Sequence, residues 1–254
     1  MASVEIITMW YNEAFLAPFF LAHYAWADRI TLLFDEDSTD ASRDIAKAYA
    51  NVKVTPFRFP DMMDDELKAD LINKQYRRSN CDWVLSVDAD EFAFYKQGDE
   101  FCYDLRPFLA ENPGHDLFVV TLYQIYRHRS DQTVDPSLPA VPQRRHGDPN
   151  ITGGINALYN KPILARSGLD MSWGPGCHEY VSHGKPLAVS PLCLQGAHWA
   201  MADPDFAVER RVKNRRERQS RNNLVKQMTV QHHNITVKSI MAEFALHAND
   251  PQLF

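Results

Sequence analysis

The chain has 254 residues, of which 45% are hydrophobic and 24% charged, and a formal net charge of −6. That length fits one large domain or two small ones with an ample core, and the acidic balance argues against a general nucleic-acid binder. No apolar run reaches the roughly 18 residues needed to span a bilayer, and the N-terminus lacks the basic region of a secretory leader. Cys81, Cys102, Cys177 and Cys193 stand apart without CxxC or Cys/His spacing, so the expectation is reduced thiols in a cytoplasmic protein.

Val4 to Trp10 is β-rich and reads as the first strand, ended by Asn12-Glu13. A nearly all-apolar helix follows from Ala14 to Trp26, then a second strand from Arg29 to Phe34 that ends in Asp35-Glu36-Asp37-Ser38-Thr39-Asp40. Asp40 is placed to cap a helix carrying Ile45, Ala48 and Tyr49 at helical spacing. Val52 to Pro56 is a third strand, Asp64 to Arg78 a polar helix, and Trp83 to Val87 a fourth strand. Strands alternating with helices over short connections predict an α/β fold with a mostly parallel central sheet, Rossmann-like, whose ligands bind beyond the carboxyl ends of the strands.

Past Phe92 the pattern loosens. A short helix is expected over Asp104–Ala110 and strands over Leu117–Tyr123 and Ala157–Ala165, while Leu192 to Trp199 ends in Gly196-Ala197-His198-Trp199. The long Arg127–Gly154 segment, rich in Pro, Arg and Gly, has no clear period; within it Arg144 and Arg145 either clamp an anionic ligand or keep the loop soluble. Gly174 to Tyr180 reads as a turn. Asp203-Pro204 starts a helix, the basic helix over 204–222, carrying Arg210, Arg211, Lys213, Arg215, Arg216, Arg218 and Arg221. Two short helices after Val225 end the chain, whose last residues are expected to pack on another subunit or to lead into a longer protein. The organisation expected is a single domain over 1–254, with a nucleotide-binding half (1–100), an acceptor-side half (101–225) and a helical extension (226–254).

The chemistry concentrates in Trp83-Val84-Leu85-Ser86-Val87-Asp88-Ala89-Asp90-Glu91-Phe92, where a buried strand runs into three carboxylates in four residues. Side chains two apart on an extended chain share a face, so Asp88 and Asp90 can meet in one crevice. Carboxylates that close repel unless a proton or a cation lies between them, and a hard divalent cation takes one or two of them while leaving positions for phosphates. A solvated acidic turn is the plain alternative.

Met9-Trp10-Tyr11-Asn12-Glu13, Phe34 to Asp40 and the Asp88-Ala89-Asp90-Glu91-Phe92 run, in order at successive strand ends, resemble the family 2 glycosyltransferases of GT-A fold, in the branch with a DADEF form of the DxD motif. His198-Trp199 followed by a basic helix also fits that branch. The resemblance implies transfer of a sugar from a nucleotide-sugar donor, a UDP-sugar foremost, to a glycan or lipid-linked acceptor with inversion, aided by Mn²⁺ or Mg²⁺. It implies that Asp35, or failing that Asp37, holds the nucleobase flanked by Trp10 and Tyr11. The donor site would comprise Asn12, Glu13, Asp88 and Ala89 besides. Asp88, Asp90 and His198 would form the metal shell, with imidazole tilting the choice to Mn²⁺. For the proton of the acceptor hydroxyl the candidates are Glu179, Asp170 and Glu91, in that order. His178 and His198 read equally well as structural histidines, and Trp10 and Tyr11 as core aromatics. The basic helix is either a solvated face or a contact for a diphosphate or, peripherally, for lipid phosphates at a membrane. Two rival readings remain: a nucleotidyltransferase, which would want a Gly-rich basic loop where Trp10 to Glu13 stands, and a non-catalytic binding module.

Overall fold

The computed structural model describes residues 1–147, 160–215, 218–225 and 235–254. Its framework is one sheet of nine strands in the order β3-β2-β1-β4-β8-β7-β11-β5-β6. The first four in sequence are β1 (Val4–Trp10), β2 (Arg29–Asp35), β3 (Val52–Phe57) and β4 (Trp83–Ser86). They pair in parallel, as their helical crossovers require. β1 and β4 are almost wholly buried because helices cover the sheet, which is why they read as continuous apolar runs. Pro56 is tolerated in β3 because that strand lies at the sheet edge.

The crossovers are α1 (Ala17–His23), α2 (Ser42–Lys47) and α3 (Asp65–Tyr76). Asp64 caps α3 by accepting from the Glu66 and Leu67 amides, a contact worth about 1 kcal/mol. Asp40 caps less directly than expected. Its Oδ1 accepts from the Ser42 amide while Ala41 holds the cap position, and its Oδ2 accepts from the Ala14 amide.

Beyond β4 the sheet departs from the mostly parallel expectation. The acidic run leads directly into β5 (Glu91–Gln97) and β6 (Glu100–Cys102), two strands missed in the sequence. After α4 (Arg106–Glu111) come β7 (Leu117–Tyr126), the one-turn helix α5 (Ala140–Gln143) and β8 (Asn160–Arg166). β8 pairs antiparallel with both β4 and β7, β11 (Val189–Met201) pairs parallel with β7, and β5 runs antiparallel to β11. The sheet is therefore mixed. A small separate ribbon, β9 (Met171–Trp173) with β10 (Tyr180–Ser182), stands beside it.

The basic helix is two elements. α6 (Pro204–Val208) is capped by Asp203 and continues as a π-helical segment, Glu209–Arg215. α7 (Arg221–Val225) follows, and the last helix is α8 (Val237–His247). α8 packs Ile240 and Phe244 against Tyr126, Met201 and Val212 of the same chain. The ring of Phe254 meets Phe94, Phe101 and Tyr123, so the C-terminal residues close onto their own domain. The start of the expected 157–165 strand, residues 148–154 of the long loop, Arg216 and the first part of the terminal extension lie outside the described residues. No helix among those described is long and apolar enough to cross a membrane.

Candidate functional site

Parallel pairing of β1, β2 and β4 brings their carboxyl ends to one sheet edge, and all three acidic clusters gather there. Asn12, in the left-handed region at φ 52°, turns the β1 loop sharply. Its Oδ1 accepts from the Thr39 and Asp40 amides, which ties the β1 loop to the β2 loop. Asparagine suits that conformation better than other residues bearing a Cβ except aspartate. The resulting open cleft spans about 560 Å³, its solvent-facing mouth included, and is lined by Trp10, Tyr11, Glu13, Asp35 and Asp88. The lining also carries four cations, Lys68, Arg210, Arg215 and Arg218.

At the base of the cleft lies a buried charge network. Arg210 reaches in from the π-helical segment, and its Nε donates to both carboxylate oxygens of Glu13 (2.9 and 3.1 Å). Its Nη2 donates to Asp90 Oδ1 at 3.1 Å and its Nη1 to Asp90 Oδ2. Asp90 is fully buried, Glu13 and Arg210 nearly so. Burial by itself would raise the Asp90 carboxyl, but Arg210 and His198 overcome it and hold it well below the usual range. Glu13 is pushed up to about 7, because burial and the nearby Asp90 charge outweigh its share of Arg210.

His198, on β11 beside β5, completes this corner. Its Nε2 stands 3.1 Å from Asp90 Oδ2 and its Nδ1 2.8 Å from Gln124 Oε1. Gln124 donates its own amide to the carbonyls of Ile125 and His198, which fixes Oε1 as the acceptor facing Nδ1. With Nδ1–H so engaged, Nε2 of the neutral ring turns a lone pair toward a carboxylate oxygen, and a proton or a metal cation must lie between them. Two ligands at about 2.1 Å from one cation and at right angles stand roughly 3 Å apart, so Asp90 and His198 fit as a pair. Asp88 does not join them. Its Oδ1 accepts from Lys68 Nζ at 2.5 Å and its Oδ2 lies 3.5 Å from Lys161 Nζ. These lysines hold the Asp88 carboxyl far below its ordinary value against the opposing effect of burial. Ala89 between the two acids is buried backbone.

Tyr11, Asp35 and Asp37, expected from the sequence to meet a nucleobase, are linked through Arg218. Asp35 is buried and accepts from Arg218 Nη1 at 3.0 Å. The Arg218 guanidinium lies 3.6 Å from the centre of the Tyr11 ring. Asp37 is half-exposed and pairs with Arg58 and Arg218. Trp10 is a core aromatic, packed edge-on against Phe20 with its indole N–H on Thr8, so the cleft meets it from one side only.

The candidate bases divide differently. Glu91 is engaged by Lys161 at 2.5 Å and by the Asp88 amide at 3.0 Å, which removes it from consideration. Glu179 and Asp170 are exposed and immediately precede β10 and β9, outside the cleft lining. The turn before Glu179 is fixed to the sheet: Cys177, at φ 56°, places its Sγ 3.5 Å from Ser86 Oγ, two residues before Asp88. A left-handed residue other than Gly, Asn or Asp stores about 1 kcal/mol or more and is concentrated at functional sites. His178 is exposed. Arg144 neither clamps a ligand nor solubilises a loop: it is buried and donates to the carbonyls of Ala202, Gln143 and Gln132. Arg145 lies over the Phe101 ring.

Lys68 and Lys161 were missed in the sequence. Lys68 falls with Ile72 and Tyr76 at i, i+4, i+8 on the inward stripe of α3, a signal that was available. Lys74, Arg77 and Arg78 on the same helix are the solvated ones. Lys161 is the second residue of a strand whose neighbours give no sign of a buried charge. Of the basic helix, Arg210, Arg215 and Arg218 turn into the cleft, so they are not free to meet a lipid surface.

The raised Glu13 carboxyl has a consequence for stability. A carboxyl whose folded value is raised keeps its proton in the fold where the unfolded chain releases it, so stability falls as pH rises from about 4.5 through 7. The loss amounts to about 3 kcal/mol at most. Glu13→Gln is expected to match the parent near pH 4.5 and exceed it near pH 8 in urea denaturation. Parallel stability curves for the two proteins would contradict the assignment.

No protein-family model matches the chain, and no curated protein does. Among solved structures, Staphylococcus aureus TarS residues 1–349 in complex with UDP-GlcNAc is similar at 15% identity and a TM-score of 0.46, over 96% of this chain and 71% of that one. Against the longer TarS structure the chain spans 43% of the length, at 15% identity and a TM-score of 0.44. Glucosyl-3-phosphoglycerate synthase from Mycobacterium tuberculosis, in complex with Mn²⁺, UDP and phosphoglyceric acid, is similar over 48% of this chain and 43% of its own, at 14% identity and a TM-score of 0.33. At identities this low the likeness is one of chain course and does not speak for the residues in the cleft.

Proposed function

We propose that the protein is a glycosyltransferase of GT-A type that takes its sugar from a nucleoside-diphosphate donor, a UDP-sugar, and passes it to a hydroxyl of a glycan or lipid-linked acceptor. The observation that carries this reading is the cleft itself. Its lining joins the buried Asp35 carboxylate and the Tyr11 ring through Arg218, and through Arg210 it reaches the Asp90–His198 pair below.

Asp35 accepts hydrogen bonds only, so it selects a base that presents a ring N–H, as uracil does, with Tyr11 as the stacking face. Arg218 makes both of those contacts itself and must swing aside when the base enters. The diphosphate then lies against Lys68, Arg210 and Arg215. Asp90 and His198 would hold a divalent cation, Mn²⁺ in preference to Mg²⁺ because of the imidazole, and that cation supplies charge to stabilise the departing diphosphate. Asp88 keeps Lys68 aimed at the same place.

In the transfer, the acceptor oxygen forms a bond to the anomeric carbon as the bond from that carbon to the diphosphate oxygen breaks. The electron pair leaves on the diphosphate, where the fixed cations stabilise it. For the acceptor's proton Glu179 is the first candidate and Asp170 the second, both outside the cleft lining and beside the Cys177 turn and the β9–β10 ribbon. The acceptor-side half of the chain, from residue 101 to 225, supplies both candidates and His198.

Water replaces the acceptor slowly in such a site. Incubation with UDP-glucose or UDP-GlcNAc and no acceptor is therefore expected to release UDP, and a folded protein that releases none from any UDP-sugar overturns the reading. The base subsite has its own test. Asp35→Ala is expected to weaken UDP about tenfold or more, the cost of one hydrogen bond to a charged group, while leaving inorganic pyrophosphate binding unchanged. Equal weakening of both would place the base elsewhere.

A further inference from the structure

Away from the cleft, the loop after β7 brings together the only group of His, Cys, Asp or Glu side chains among the described residues with three ligand atoms all within 4.8 Å: His128, Asp131 and His146. We propose that these three residues form a binding site for one zinc-class divalent cation, separate from the donor cleft, which staples the His128–Asp131 turn to His146 at the other end of this loop.

The backbone presents the ligands from a fixed frame. A tight turn, with the Asp131 amide on the His128 carbonyl (3.0 Å) and the His128 amide on Asp131 Oδ2 (2.9 Å), sets the first two side by side. His146 is held from both sides, its carbonyl accepting from the Tyr126 amide at 3.0 Å and its backbone bridging to Gln252. The imidazoles of His128 and His146 lie face to face, 4.2 Å between centres.

One atom asks for a partner. His146 Nδ1 is shut off from solvent, makes no hydrogen bond and points at Asp131 Oδ1 from 3.7 Å. A buried polar nitrogen left without a partner destabilises the fold. The distance is slightly more than the roughly 3.4 Å that separates two ligands of a tetrahedral ion at about 2.1 Å. His128 Nδ1 accepts from the Ser130 amide (3.2 Å) and contacts the Ser130 hydroxyl (2.7 Å), which can donate or accept. Ligation through Nε2 calls for the tautomer with Nδ1–H, which would donate to the hydroxyl, the usual support for a metal-bound imidazole, and give up the amide contact.

Arg144 stands close by, with Nε 3.9 Å from Asp131 Oδ2. Its Nε, Nη1 and Nη2 all donate to backbone carbonyls, so the Asp131 carboxylate is not consumed by it. Two imidazoles and one carboxylate without a thiolate favour Zn²⁺ over Mg²⁺ or Ca²⁺ and leave a fourth position for water. The site lies just past Gln124, the residue that orients His198, so the staple holds the strand end that serves the cleft.

The test is calorimetric titration of Zn²⁺ into chelator-treated, dialysed full chain bearing His198→Ala, which takes the cleft pair out of the measurement. One equivalent should bind and raise the melting temperature. Adding Asp131→Asn or His146→Ala should weaken that binding at least about tenfold and abolish the thermal shift, while Co²⁺ should give visible absorption bands only when all three residues are present. A folded protein that takes up no Zn²⁺, or binding that survives both substitutions, overturns the proposal. Since no nucleotide enters the experiment, its outcome is independent of the transferase reading.

Discussion

Arg210→Ala should be among the most destabilising single substitutions in the chain, lowering the unfolding free energy at neutral pH by about 3–5 kcal/mol. The guanidinium is the shared partner of Asp90 and Glu13, all three lie out of water, and its removal leaves two buried carboxylates facing each other. Both would be driven to take up protons, so the loss should grow as pH rises. Adding Glu13→Gln to Arg210→Ala removes one of the stranded charges and is expected to recover part of the loss, a coupling that a double-mutant cycle reads directly. A loss below about 1 kcal/mol for Arg210→Ala, measured in urea, would mean the network is not formed.

Asp90→Asn separates function from stability in the opposite sense. Arg210 keeps Glu13 as its partner, so the charge balance of the buried pair survives and the fold should lose only about 1–3 kcal/mol. The cleft loses far more. Asp90 holds Arg210 in place and, with His198, is one of the two groups that would hold the cation. UDP release from a UDP-sugar is expected to fall by about 10²–10³-fold or more, the scale of removing one group that stabilises developing charge. A few-fold decrease would place the chemistry at another carboxylate.

The contrast between these two variants shows what the sequence made legible. Asp88, Ala89 and Asp90 announced themselves because a buried strand seldom runs into carboxylates, and β1, β2 and β4 followed from apolar runs separated by helical periods. The partners of those acids were hidden. Arg210 stood among seven cations on one segment, and only the π-helical course of Glu209–Arg215 sets it inward while Lys213 stays out. Lys161 depends on β8 entering the sheet between β4 and β7, a long-range pairing with no local signature. β5 was missed because Glu91, its first residue, is a buried charge in a strand, legible only once Lys161 is known. His198 was found through its place beside Trp199, yet the residue that fixes its ring, Gln124, lies on β7 and reaches it across the sheet.

The measurement that bears most directly on the central claim is calorimetric titration of UDP, GDP and CDP into the folded protein, with Mn²⁺ and again with chelator. UDP is expected to bind in Mn²⁺, to weaken with chelator and to be lost in Asp90→Asn, with GDP weaker and CDP weakest. Failure of all three to bind, or UDP binding unchanged in Asp90→Asn, would contradict the assignment of the cleft as a donor site.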